Sequence, residues 1–490
     1  MFRVLVFIIL YMNNRQEMIR LLFILWGTLA FGQSFNLSVI RKQLRILEKE
    51  NYFSGVVLIA KGDKTIYKHA FGYANMADKI PNKANTKFNL ASMNKMFTGL
   101  AIMQLAEKGK LSLHDKVGKY LPDFPNKLVA DSVTIHQLLT HTSGMGNFWA
   151  EHDKLAKEKF KTVSDYLPLY VHQELLFSPG KGFQYSNSGY MVLGLIIEKV
   201  SGLNYFDYVR TYIFEPAKMK DTDSYDLEEA IPNMATGYTM LSEKPGQWKN
   251  NMYSNVVKGT PAGGGYSTAE DLLRFSLALQ QNTILGKEFT QLYSTGKVQY
   301  KEGFYAYGIV ENFLNGQRML GHTGGHFGIA NELMIFPESG YTVVILTNGE
   351  VENYWEVSNL IKKQLTGSTN ATDNFFYTKD LIRTVEKSGL SAGIKKIEAD
   401  SSKKYILKEN LIERYGQKFL FEKKYTQAID LFQLSATQFP DSATPYYNLS
   451  EAYRLAHHKE KAIEALKIYL KREPLDKEAE IKYENLKSSK

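Results

Sequence analysis

The chain has 490 residues, 44% hydrophobic and 23% charged, with a formal net charge of +9, which allows a large core and more than one domain. The positive charge is scattered, and no Lys/Arg-rich run is interleaved with aromatics, so no nucleic-acid partner is expected. With no cysteine, disulfides, thiolate metal sites and a cysteine-linked lipid anchor are excluded.

In chain order, the first feature is "MIRLLFILWGTLAFGQSF" from Met18. One arginine, a short apolar run and a small-x-small ending at Ala30 and Gly32 read as a secretory signal over residues 1–32, with Met1 or Met18 as the start. The apolar run is too short to span a bilayer comfortably, and the expectation is an exported protein, periplasmic or secreted, or membrane-associated if the signal stays uncleaved. Next, "SGVVLIAKGDKTIYKHAFGYAN" reads as a β-hairpin turning at Gly62-Asp63. An apolar helix follows, entered through Ser92 and Lys95 and spaced by Met96, Leu100, Met103 and Leu105. From about 110 to 280 the pattern is mainly helical, and "GYMVLGLIIEKVSG" (189–202) is its clearest buried helix. Strands return in "RMLGHTGG", "IANELMIFPE" and "YTVVILTNG", separated by polar turns as in an antiparallel meander. The expected fold class is α+β, an antiparallel sheet flanked by helices, pairing early with late segments, beside an all-α region.

Composition shifts after Thr366, and the divisions expected are a main domain over 33–366, a linker over 367–375 and an all-α domain over 376–490. In the last, "YTQAIDLFQLSATQFPDS" recurs as "KEKAIEALKIYLKREPLD", with Ala428 over Ala462 and Pro440 over Pro474. A weaker copy, "LSAGIKKIEAD", precedes them. The period resembles the tetratricopeptide repeat, whose helical hairpins bury their faces only against neighbours. Such an array serves either as a brace or as a surface for a protein partner.

Several chemical signatures are missing: no G-x-S-x-G elbow, P-loop, H-E-x-x-H or G-x-G-x-x-G occurs. The ten histidines include no pair at metal spacing with a third ligand, and neither a metal nor a cofactor is expected. S-x-x-K occurs at Ser92, Ser178, Ser294 and Ser401, and Tyr-x-Asn at Tyr73, Tyr185, Tyr253 and Tyr446 among others. Context separates them. Only Ser92 opens a long apolar helix, and only Tyr185 follows a Pro-Gly turn directly before a buried one; the "YSN" at Tyr253 is the main decoy. At i and i+3 on a helix, Lys95 Nζ reaches Ser92 Oγ, and a lysine whose pKa is lowered by burial or the helix terminus can act as its base.

SMNK at 92–95, YSN at 185–187 and HTGG at 322–325, in that order, resemble the serine β-lactamase and D-alanyl-D-alanine peptidase superfamily. The class C-like branch, which includes esterases and D-amino-acid peptidases, is the most similar. "IHQLLTHTSGM", "GYMVLGLIIEKVSGLNYFDYV" and "PAGGGYSTAEDLLRF" extend the resemblance over residues 35–365. It implies Ser92 as nucleophile, Lys95 as base, and Tyr185 as second acid/base group with an easily ionised phenol. It implies that Asn187 fixes Lys95 and binds substrate amide, and that His322, Thr323, Gly324 and Gly325 line the cleft. The Ser92 and Gly325 N–H groups would form an oxyanion hole, with Gly324 and Gly325 leaving room for substrate. His322 stands where β-lactamases usually carry lysine; a histidine, mostly neutral near pH 7, is a weaker, pH-dependent anchor for a carboxylate. The function implied is hydrolysis of D-amino-acid peptides of the cell wall, or of small esters and amides. A β-lactamase proper, or a penicillin-binding sensor acting through its repeats, are the alternatives. His141 reads as a structural loop residue, His326 as a surface histidine, and Phe148 and Trp149 as packing residues near the cleft.

Overall fold

In the computed structural model, residues 35–49, 53–240, 247–349, 351–400 and 405–488 are described. The leader expected over 1–32 lies outside them. No helix among the described residues is long and apolar enough to cross a membrane. The chain divides into two compact units, the first closing at Tyr354 and the second running on from Trp355 and also taking in the segment Thr239–Lys249.

The first unit begins with α1 (Leu37–Lys49), which buries Ile40, Leu44 and Leu47 along one face. β1 (Gly55–Lys61) and β2 (Lys64–Phe71) form the expected hairpin, and Gly62 at φ +58° supplies the left-handed turn. A 3-10 turn over Ala91–Asn94 then leads into α2 (Lys95–Glu107), buried from Lys95 to Leu105 on every side. A helix apolar all round belongs at the centre of a domain. α3 (Ile135–Leu139) starts from a capping box on Thr134. α4 (Asn187–Ser201) is capped by Ser186, whose hydroxyl accepts the Gly189 N–H at 2.9 Å, and it stops at Gly202, φ +77°. α5 (Ala269–Gln280), capped by Thr268, lies against the sheet, and α6 (Lys287–Ser294) lies against α2.

The remaining strands are β3 (Val298–Tyr300), β4 (Gly303–Tyr305), β5 (Val310–Leu314), β6 (Gln317–His326), β7 (Ile329–Phe336) and β8 (Tyr341–Thr347). They join β1 and β2 in one eight-stranded antiparallel sheet, ordered β2-β1-β8-β7-β6-β5-β4-β3. The first hairpin therefore forms one edge and seats β1 against β8, from Gly55 opposite Thr347 to Lys61 opposite Tyr341. Val56, Leu58, Val344 and Leu346 join the core with α2, while Val57, Ile59, Val343 and Ile345 on the other face are also fully buried. Two covered faces explain why "VVLIA" and "TVVILT" run apolar without alternation.

From Trp355 on, the second unit is helical. α7 (Val351–Thr366) crosses into it, so the division falls inside a helix rather than after residue 366. The linker expected over 367–375 is largely helix: α8 (Asn370–Ala399) starts from a capping box between Thr369 and Thr372 and breaks at Gly389, φ +80°. The polar residues that suggested a loop are helix-start residues, whose side chains take up the free N–H groups of the first turn. α9 (Glu409–Phe421), α10 (Tyr425–Gln438), α11 (Thr444–Leu455), α12 (Lys459–Arg472) and α13 (Lys477–Ser488) follow, each packed on the next. α10 and α12 start at Tyr425 and Lys459, thirty-four residues apart, and the matching Ala428 and Ala462 are both fully buried. In the core of this unit Lys379 pairs with Glu356 at 2.9 Å, both nearly closed to solvent.

Candidate active site

Ser92 lies in the 3-10 turn, and neither that turn nor α2 has a side-chain cap, so its hydroxyl is not spent on the helix end. Before it, Ala91 sits at φ +45°, a left-handed conformation costing a residue with Cβ about 1 kcal/mol. Neighbours hold it there. Asn89 Oδ1 accepts the Ala91 N–H at 2.9 Å, Gly264 N–H donates to Ala91 O at 3.2 Å, and Leu90 N–H donates to Gly265 O at 2.7 Å. On the opposite side is β6: a Cβ on Gly324 would stand 2.1 Å from Leu90 O. Gly324 thus makes room for the turn carrying Ser92, not for substrate as expected. Gly325 differs, since a Cβ there would meet nothing within 4 Å. Thr323 and Gly325 are exposed, and His322 and Gly324 buried, so the strand shows alternate residues to the cleft.

Lys95 is fully buried, its Nζ 3.2 Å from Ser92 Oγ, 2.7 Å from Asn187 Oδ1 and 2.5 Å from Ala262 O. Burial holds its pKa well below the ordinary value. The expected help from the helix terminus is not needed, because loss of water alone disfavours the ammonium. The three contacts suit a neutral amine. Two of them, an amide oxygen and a carbonyl, can only accept; the third, the Ser92 hydroxyl, is the one that can also give its proton to the amine once Lys95 is neutral.

Asn187 is the first residue of α4, and the cap is Ser186, which frees the Asn187 side chain for Lys95. Its orientation is fixed by Asn147, a residue the sequence did not single out. Asn147 Oδ1 accepts the Asn187 backbone N–H and Nδ2–H, both at 2.8 Å, and Asn147 Nδ2 donates to Tyr185 O at 3.1 Å. The backbone partners leave one orientation for each amide, so Asn187 Oδ1 must face Lys95. His141, buried at φ +61°, clamps the same turn: its Nδ1 accepts the Ser186 N–H at 3.0 Å and its carbonyl the Gln184 N–H at 2.9 Å. Its ring lies 4.2 Å from that of Tyr185, and burial beside Lys95 and His322 keeps it neutral.

Tyr185 corrects an expectation. Burial raises its pKa, and hydrogen bonds to Ser92 and Tyr305 offset this only in part. Lys95 Nζ lies 4.8 Å from the centroid of its ring. The phenol is therefore a neutral donor, not an easily ionised one. His322 is corrected as well. Burial and nearby Lys95 push it down to about 3. Its Nδ1–H donates to Thr323 O at 2.6 Å, and its Nε2 accepts from the Tyr305 hydroxyl at 3.1 Å. The tautomer is set by a carbonyl that can only accept, so the ring stays neutral far below pH 7 and offers no pH-dependent cation. Tyr305, on β4 and absent from the sequence motifs, bridges His322 and Tyr185. Phe148 is buried, as expected, and Trp149 stacks on His326 at 5.3 Å and 24°.

A family model described as Beta-lactamase matches residues 41–363. Penicillin-binding protein 4* of Bacillus subtilis (strain 168) is 35% identical over 328 residues, 63% of this chain and 71% of that protein. The crystal structure of a penicillin binding protein from Bacillus halodurans aligns with a TM-score of 0.60 and 34% identity, over 65% of this chain and 98% of that one. The D-amino acid amidase of Ochrobactrum anthropi SV3 shares the fold with a TM-score of 0.59 and 22% identity, over 68% of this chain and 98% of that one. The match spans the unit that carries Ser92, the sheet and α4, and with these relatives it makes the chain a serine hydrolase belonging to the Beta-lactamase family.

Proposed function

We propose that the protein hydrolyses D-amino-acid peptides or small esters and amides through an acyl-enzyme at Ser92. The observation that carries this is Lys95: fully buried, its pKa lowered by that burial, held by Asn187 Oδ1 and the Ala262 carbonyl with its Nζ 3.2 Å from Ser92 Oγ. Lys95 takes the hydroxyl proton as Oγ bonds to the substrate carbonyl, and the Ser92 and Gly325 N–H groups receive the oxyanion. As the carbonyl re-forms, the bond to the leaving group breaks, and the neutral Tyr185 phenol supplies the leaving group's proton. Lys95 returns its proton to the phenolate, and the same two groups then serve water in deacylation.

The neutral His322, held by Tyr305, gives no fixed positive charge for a carboxylate, which supports uncharged acyl substrates over β-lactams. The leader-like sequence supports export, where cell-wall peptides are the substrate at hand; N-terminal sequencing of the mature protein starting at Met1 would remove that part. The thirty-four-residue repeat supports a protein partner for the helical unit, and pull-downs with and without residues 375–490 test it. For the chemistry, the protein is incubated with short-chain nitrophenyl esters and a fluorescent penicillin, and adducts are mapped by mass spectrometry. Ester turnover with an acyl group on Ser92 is expected, and activity surviving Ser92→Ala would refute it.

A further inference from the structure

We propose that His326, Phe327, Trp149, Met252 and Tyr253 form a subsite for an uncharged aromatic side chain on the acyl portion of the substrate. The proposal rests on the reading of Ser92 as nucleophile and Gly325 as oxyanion donor. The direction of β6 assigns the two sides of that centre. At its His322 end the strand meets Tyr305, and through it Tyr185, the proton donor to the leaving group. Beyond Gly325 it runs directly into His326 and Phe327, where β6 pairs with β7 through His326 opposite Ile329. The leaving group therefore lies toward His322, and the acyl portion toward His326.

Three loops converge there. The 141–149 loop brings Trp149, two residues after the Asn147 that fixes Asn187, and its indole stacks on the His326 ring. The 3-10 turn Met252–Ser254 is tied in by His326 Nε2, which donates to Ser254 O at 2.6 Å, and Asn251 Nδ2 donates to Phe327 O at 2.8 Å. The Phe327 ring lies 5.3 Å from that of His326, tilted by 59°. A stacked pair of rings is thus held rigidly by hydrogen bonds to backbone, at the open side of Gly325.

The apolar surface around this pair is exposed. Phe327 is 61%, Tyr253 81% and Met252 55% accessible. Among the described residues of the first unit, the only other large apolar side chains more than half exposed are Leu128 and Leu176. Exposed apolar residues gathered at a cleft mark a binding surface rather than a core. Stacked aromatics suit a flat ring, and none of the five is bonded to a carboxylate among the described residues. Tyr253, whose "YSN" imitates the catalytic triplet in sequence, belongs instead to the exposed turn tied to His326.

The test compares p-nitrophenyl 3-phenylpropionate with p-nitrophenyl acetate, on the full chain and on Phe327→Ser and Trp149→Ala. The ratio of kcat/KM values is expected to be at least tenfold in the unaltered protein and to fall at least fivefold in each variant. A ratio near one, or one unchanged by both substitutions, overturns the subsite. Calorimetry of Ser92→Ala protein, which cannot be acylated, with 3-phenylpropionamide separates the subsite from the chemistry. Binding that Phe327→Ser abolishes keeps the subsite even if no ester is turned over, whereas binding that is absent or indifferent to Phe327→Ser overturns it.

Discussion

Replacing Asn147 by aspartate should move the acid limb of the pH–rate profile, because it places a charge beside the base while changing the shape little. In the native protein Lys95 Nζ is 2.7 Å from Asn187 Oδ1, and the other end of that amide is 2.8 Å from Asn147 Oδ1. A carboxylate at 147 then stands on the order of 6 Å from the lysine, where at an effective dielectric of about 20 it favours the ammonium by ~3 kcal/mol. Partial exposure of the loop reduces this, leaving a rise of about one to two units in the Lys95 pKa. The sign follows: a base with a raised pKa is protonated to higher pH, so the limb where activity grows as Lys95 loses its proton moves upward by that amount. At fixed pH on that limb the rate falls about tenfold per unit. The assay is kcat/KM for an activated ester from pH 5 to 10, with Asn147→Ser as the uncharged control, which should lower the plateau through a loosened Asn187 but leave the limb in place. An Asn147→Asp limb coincident with the unaltered one would refute the electrostatic link from 147 to Lys95.

Three other outcomes are expected. Gly324→Ala should reduce Ser92 acylation by a hundredfold or more, since its Cβ would enter 2.1 Å from Leu90 O, while Gly325→Ala finds open space and should keep most of the labelling rate seen by mass spectrometry. Tyr305→Phe leaves the buried His322 Nε2 without its donor and should cost about 1–2 kcal/mol, read as a lower urea midpoint. Stability itself should fall as pH drops from about 6.5 toward 3, because His322, depressed to about 3, and His152, depressed to about 4, take up protons only on unfolding; each contributes ~1.4 kcal/mol per pH unit within its window, and His322→Gln should flatten the slope between pH 4.5 and 6.5.

What was legible in the sequence was what local chemistry dictates. The Gly62 turn, the apolar runs of β1, β7 and β8, and the uniformly apolar α2 each carry a pattern that burial explains. β3, β4 and β5 escaped because they are short and partly polar, and they enter the sheet only by adding on beyond β6. The motifs around Ser92, Tyr185 and Gly325 stood out through their settings. Asn147, Tyr305 and the Ala262 carbonyl did not, because an amide, a phenol or a backbone oxygen gains its role from where the fold brings it. The ionisation states were equally hidden: water loss reversed the expectation for Tyr185 and removed the pH dependence expected of His322. The linker beyond Thr366 misled because the residues that open a loop are also those that start a helix.

The place of β1 in the sheet has a consequence for synthesis. Its apolar run pairs with β2 at once, but its other edge waits for β8, from Tyr341 to Thr347. At a ribosomal pace of about 5–20 residues per second, that partner appears roughly 15–60 s later. Throughout that interval a strand apolar on both faces has one open edge, the geometry that invites pairing with another nascent chain. Whatever shields "VVLIA" during those seconds, a chaperone or early collapse onto α2, governs the yield of soluble protein. A charge placed at Val57 would keep the nascent chain soluble and prevent the finished sheet from closing.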